Sequence, residues 1–113
     1  MIVQVNTDNH IEGSAELTTH VESTLESTLS RFIERITRVE VQLSNENGSQ
    51  KTAVSEMRCV LEARLTGMKP VKVSADGASL EQVLEDAAKK LFKLLDRTLG
   101  RLDDPRGRTS YAG

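Results

Sequence analysis

A chain of 113 residues and 12.5 kDa has the length for one domain around one hydrophobic core, which excludes a separate catalytic or regulatory module. Its 15 Lys and Arg against 17 Asp and Glu give a net charge of −2, far from the strongly basic balance of a general DNA binder. The lone Cys59 excludes an intrachain disulfide framework and a zinc site of paired thiolates, and no apolar run nears the roughly 18–20 residues of a membrane span.

The N-terminal Met-Ile-Val-Gln-Val-Asn lacks the charged-then-apolar order of a signal peptide, and Val3 and Val5 alternate with Gln4 to predict a short strand. From Ser14, apolar Leu17, Val21, Leu25, Leu29, Phe32, Ile33 and Ile36 recur at spacings of three and four, the stripe of a first helix over 14–36. Ser and Thr fill much of its other face and are weak helix formers, so packing must hold it. Alternation returns over 38–43 as a second strand, followed by a turn cluster at 44–48 and a polar stretch at 49–55. On a third strand Met57, Cys59, Leu61, Ala63 and Leu65 face one way, and Arg58, Val60, Glu62 and Arg64 the other. A turn at 66–70 leads to a fourth strand over 71–75, and Asp76-Gly77-Ala78 turns the chain again. Ser79 and Gln82 form a capping box for a second helix, whose stripe is Leu80, Val83, Leu84, Ala87, Ala88, Leu91, Leu94, Leu95, Thr98 and Leu102. Asp103-Asp104-Pro105 stops it, so the sequence divides into one domain over 1–102 and a disordered tail over 103–113.

The order β-α-β-β-β-α requires a crossover between the first two strands and hairpins among the rest. Because the strands alternate in polarity, one sheet face is apolar and both helices belong on it. The fold class is therefore α+β, a two-layer sandwich with a four-stranded mixed sheet and its other face in water. Leu17, Val21, Leu25, Leu61, Val73, Leu84, Ala88 and Leu91 are expected in the core.

Charge is unevenly placed: residues 1–57 carry four basic and nine acidic side chains, and residues 58–113 carry eleven and eight. At about 100° per residue, Lys90, Lys93, Arg97 and Arg101 share one helical stripe, with Lys89 at its margin. Such a row is either a solvated face with favourable cations near a helix C-terminus or a track for a nucleic-acid backbone. Arg31, Arg35 and Arg38 form a second group, while Arg58, Arg64 and Lys72 share the open sheet face with Glu40 and Glu62, where ion pairs are the economical reading. With two Phe, one Tyr and no Trp, the sheet has no base-stacking platform, so any RNA contact is to phosphate and shape. His10 and His20 lack metal-ligand spacing, Cys59 falls on an inward register, and no glycine-rich loop precedes either helix. No catalytic residue, metal site or cofactor is assigned, and an enzyme is not expected.

Val5 through Asn9-His10-Ile11-Glu12, Phe32-Ile33-Glu34-Arg35-Ile36, Val39-Glu40-Val41-Gln42-Leu43, Val73-Ser74-Ala75-Asp76-Gly77 and Ala88-Lys89-Lys90-Leu91 occur in an order that is more specific than any one piece. Over residues 2 to about 102 this succession resembles the ribosome hibernation-promoting factors and ribosome-associated inhibitors, also called sigma-54 modulation or ribosomal subunit interface proteins. The resemblance implies a cytoplasmic, non-enzymatic factor that binds the small ribosomal subunit and its 16S RNA. There it would block the channel of messenger and transfer RNA during stress. Family positions that grip RNA match Lys90, Lys93, Arg97 and Arg35; Lys89, Arg101 and Arg31 join them by their place on the same stripe and cluster. No C-terminal dimerisation domain fits within this length, so the short form and a monomer are expected. Typical members have lysines along helix one, where this chain has Glu16, Glu22 and Glu26. A different kind of function, a protein-interaction module using the open sheet face or an edge strand, is the alternative.

Overall fold

The structure, a computed structural model, describes residues 1–9, 11–45 and 56–103, with 101–103 described as backbone. It contains β1 (Ile2–Thr7), α1 (Ala15–Thr28), a 3₁₀ turn (Ser30–Arg35), β2 (Ile36–Asn45), β3 (Met57–Leu65), β4 (Val71–Gly77) and α2 (Leu80–Asp103). The sheet order is β1-β2-β3-β4. β1 runs parallel to β2, and the β2–β3 and β3–β4 pairs are antiparallel. The expected α+β order and mixed four-stranded sheet are thus present.

The β2–β3 register explains why one face is dry. Val39 pairs with Ala63, Val41 with Leu61 and Leu43 with Cys59, and all six side chains are buried. The intervening pairs, Arg38 with Arg64 and Glu40 with Glu62, face the other way. Val21, Leu25, Leu29 and Phe32 from the first helical region and Val83, Leu84, Ala87, Ala88, Leu91, Leu95 and Leu99 from α2 join the inward strand residues in one core cluster. Both helices therefore cover the same face. Ser14 caps α1 by accepting from the Leu17 N–H at 3.0 Å, and the Ser79 hydroxyl accepts from the Gln82 N–H at 3.2 Å at the start of α2.

Several boundaries, and the burial pattern of α2, differ from the sequence reading. The first helix stops being α at Thr28, tightens into the 3₁₀ turn, and releases Ile36 to β2. A β-bulge lies between Ile36 and Arg38, and Thr37 is the extra residue, its hydroxyl donating to the Arg64 carbonyl at 3.0 Å. The bulge shifts the alternation by one, so that Ile36 and Val39 both reach the core. β4 extends through Asp76 and Gly77, which pair with Arg58 and Met57 instead of turning. In α2, Leu80, Leu94 and Thr98 are half-buried while Leu99 is fully buried. The row Leu91, Leu95, Leu99 drifts about 40° per step toward the side of Phe92, whose ring lies 5.4 Å from that of Phe32. Leu17 and Val73, expected in the core, pack against it half-buried. Of the β3–β4 turn, Gly67 alone has positive φ, at 74°. The expected turn at 44–48 lies largely outside the described residues, as do the stretch 49–55, His10 and the tail beyond 103.

On the open face Arg58 meets Asp76 across strands at 2.9 Å, and Arg38 meets Glu40 along β2 at 3.2 Å. The Arg58 hydrogen bond holds the Asp76 carboxyl below the usual carboxylate range, with the charges of Arg58 and Lys90 adding to it.

Two outcomes follow from this packing. Leu61→Ala should cost about 2–5 kcal/mol in denaturant unfolding, whereas Arg64→Ala, one register position removed from the buried Ala63 and on the exposed face, should stay within about 0.5 kcal/mol. Burial pushes the Cys59 thiol up from 9.0 to about 12, so folded protein should resist thiol labelling that proceeds rapidly in denaturant. The raised value means the folded state keeps its proton while the unfolded chain loses it. Stability from this group is therefore intact below pH 9.0 and falls between there and about 12. Cys59→Ala should flatten that alkaline decline.

Candidate nucleic-acid interface

α2 buries the row just described and turns the opposite arc to solvent. Lys89, Lys93 and Arg97 lie on that arc, all exposed, and none of the three forms an ion pair with another described residue. Lys90 is also exposed but leans toward the sheet edge, where its ammonium donates to the Ser74 carbonyl of β4 at 2.8 Å. A groove of about 280 Å³ runs there between β4 and α2, lined by Ala75, Asp76, Asp86, Lys89, Lys90 and Lys93. The cationic row is therefore not uniform: Asp86 sits within it. Its helical phase, between those of Lys93 and Arg97, was a signal available in the sequence.

The other expected contacts are held differently. Arg31 pairs with Asp96 of α2 at 3.0 Å and stacks over Phe32 at 5.4 Å, which fastens the 3₁₀ turn to α2. Arg35 ends that turn half-buried, with its carbonyl accepting from the Thr66 N–H at 3.3 Å. Arg101 belongs to α2 by its backbone, and its side chain lies outside the described residues. The structure brings Lys89, Lys93 and Arg97 onto one solvent face, with Lys90 at its β4 side and Arg31 near its C-terminal half.

α1 contributes no cation to this surface. Toward α2 it presents His20, Ser23, Thr24 and Ser27, which with Glu85 and Lys89 line an open groove of about 370 Å³. Glu22 and Glu26 lie more than about 100° round the helix from the middle of that set, on the side away from α2. His20 had no local signal of its place here, because its groove partners come from the other helix. Among the described residues, no group of three or more His, Cys, Asp or Glu is placed to hold a metal ion, and no helix is long and apolar enough to cross a membrane.

Two of the solved structures that share this architecture illustrate the likeness. One, described as the Thermus thermophilus Protein Y N-terminal domain, is 19% identical with a TM-score of 0.70, covering 87% of this chain and 99% of that one. The other, a ribosomal subunit interface protein from Coxiella burnetii, is 14% identical with a TM-score of 0.67, covering 88% of this chain and 99% of that one. At these identities the likeness concerns the fold. Comparison with curated proteins returns no match. The sequence itself matches a family profile over residues 3–103, nearly the whole of the described domain, and the chain belongs to the family described as sigma 54 modulation protein / S30EA ribosomal protein.

Proposed function

We propose that this protein binds the small ribosomal subunit through phosphate contacts to 16S RNA, and inhibits translation by occupying the channel of messenger and transfer RNA. The observation that carries this reading is the row Lys89, Lys93 and Arg97, exposed and without ion-pair partners among the described residues, on a chain of this family. Successive members of the row sit about one turn apart, roughly 6 Å along α2, close to the repeat of phosphates in a strand. Lys90, Arg31 and Arg35 extend the surface, with the first two reaching RNA after exchanging Ser74 and Asp96 for phosphate; Arg101 joins them in this reading by its place in the sequence alone. The role requires no reaction, metal or cofactor, and a cytoplasmic monomer suffices.

A second reading has one specific observation behind it. β1 is a sheet edge without a charged side chain, and Ile2 on it is 61% exposed. An added strand from a protein partner would fit there.

Reversing Lys89, Lys93 and Arg97 to Glu should abolish co-sedimentation with small subunits while leaving the circular dichroism spectrum unchanged, because none contributes to the core. Neutralising these three should flatten the dependence of log affinity on log salt by about 2–3 units, at roughly 0.7–0.9 per phosphate contact. Full binding by the triple variant with an unchanged salt slope would contradict phosphate contact and favour the β1 edge.

A further inference from the structure

We propose that β1 and the adjoining flank of α1 form a strand-addition site for an extended protein segment that carries lysine or arginine at alternate positions. The inference develops the β1 edge reading above and is independent of the α2 contact surface, because α1 packs against β1 at one side of the sheet while α2 packs on β3 and β4.

The two edges of the sheet are built differently. β4 carries exposed Lys72 and Asp76, and Lys90 occupies its Ser74 carbonyl at 2.8 Å, devices that discourage a further strand. β1 has no such device, and its hydrogen-bonded neighbour is β2 alone. Alternate residues of a strand turn their N–H and C=O groups to opposite sides, so about half of the β1 backbone groups point outward. The side chains at this edge are also incompletely covered. Ile2 is the one large apolar side chain exposed among the described residues. On the other face Val3 and Val5 pair with buried Val39 and Val41, yet stay half-buried at the margin of the core. An added strand would satisfy the backbone and cover both faces.

Charge selects the occupant. The flank that α1 turns away from α2, toward β1, holds Glu22 and Glu26 one helical turn apart. Neither has an ion-pair partner among the described residues. A second copy paired through β1 about a two-fold axis would set these carboxylates against their own counterparts, a repulsive arrangement. A segment with a cation at every second residue fits instead. Its aliphatic stems lie along Val3 and Val5 with the charged heads at the two carboxylates, and the intervening side chains lie beside Ile2 and Gln4. Strand pairing supplies the affinity, and Glu22 and Glu26 supply the preference for a basic sequence.

The test titrates the folded protein, without ribosomes, with a synthetic peptide of alternating lysine and valine and with its glutamate–valine counterpart, following amide shifts and hydrogen exchange by NMR. The lysine peptide should slow exchange of the outward amides of β1, the mark of main-chain pairing, and should bind more tightly than the glutamate peptide. Glu22→Gln with Glu26→Gln should weaken the lysine peptide about 3- to 10-fold, the order of two exposed ion pairs, and remove most of its salt dependence. Ile2→Lys, at an exposed position, should weaken the same peptide while leaving the circular dichroism spectrum unchanged. A lysine peptide that leaves β1 exchange unaltered, or two peptides of equal affinity, overturns the site. Wild type that sediments as a dimer with its β1 amides protected makes a second copy the occupant and overturns the basic segment. Because no ribosome takes part, these outcomes are separate from success or failure of the RNA reading.

Discussion

One-sided burial of the β2–β3 hairpin is the constraint from which the rest of the architecture follows. Val39, Val41, Leu43, Cys59, Leu61 and Ala63 make one face of the central strands fully apolar, and the outward positions, Val60 apart, carry Arg, Glu, Gln and Ser. Leaving that apolar face in water would forfeit the largest favourable contribution to folding, at about 25 cal/mol per Å², so every remaining element is drawn to it. The connection from β1 to β2 must cross this face, which makes α1 a crossover helix and the β1–β2 pair parallel. α2 then covers β3 and β4. With both helices on one side, the molecule is left with two unlike surfaces: a charge-balanced open sheet and a two-helix face whose charges are segregated.

Those consequences were largely legible in the sequence, because period-two and period-3.6 patterns report burial directly. The β3 alternation from Met57 to Leu65 and the Ser79 hydroxyl cap, the half of the expected capping box that forms, needed no tertiary information, and both ends of α2 fell within a residue or two of expectation. What could not be read was where one pattern hands over to another. Leu29, Phe32 and Ile36 continue the α1 spacing, yet a 3₁₀ turn and a bulge at Thr37 satisfy the same spacing while reversing the chain into β2. Burial of Leu99 in preference to Leu94 has a similar origin. It depends on Phe32 meeting Phe92, a contact between residues sixty apart in sequence.

The candidate site was legible as a stripe and illegible as a set of partners. Helical phase placed Lys89, Lys90, Lys93 and Arg97 on one side of α2, but it treated them as equivalent. Their neighbours make them different. Lys90 spends its ammonium on the outward Ser74 carbonyl of the β4 edge, which also blunts that edge against pairing with a further strand. Arg31 is drawn to Asp96 by the same packing that brings Phe32 onto α2. Lys89, Lys93 and Arg97 retain no such intramolecular partner among the described residues. Binding a phosphate through them displaces water and counterions, not a structural contact, and this distinction orders their expected contributions.

An overall charge of −2 looks like an argument against RNA, and distance answers it. Packed helices lie about 8–10 Å apart axis to axis, and side chains reach about 5–6 Å from each axis. Glu22 and Glu26, on the far flank of α1, therefore stand about 15 Å from the axis of α2. At physiological ionic strength the Debye length is about 8 Å, so nearly two screening lengths separate the acidic flank from the cations, and a phosphate at Lys93 feels chiefly the local row. At about 0.01 M salt the Debye length grows to about 30 Å and the same carboxylates enter the field. The acidic helix thus weakens long-range attraction most where screening is least, while leaving short-range contact intact. The formal charge of the whole chain describes how it is steered over tens of ångströms; the arrangement of α2 describes what it can hold.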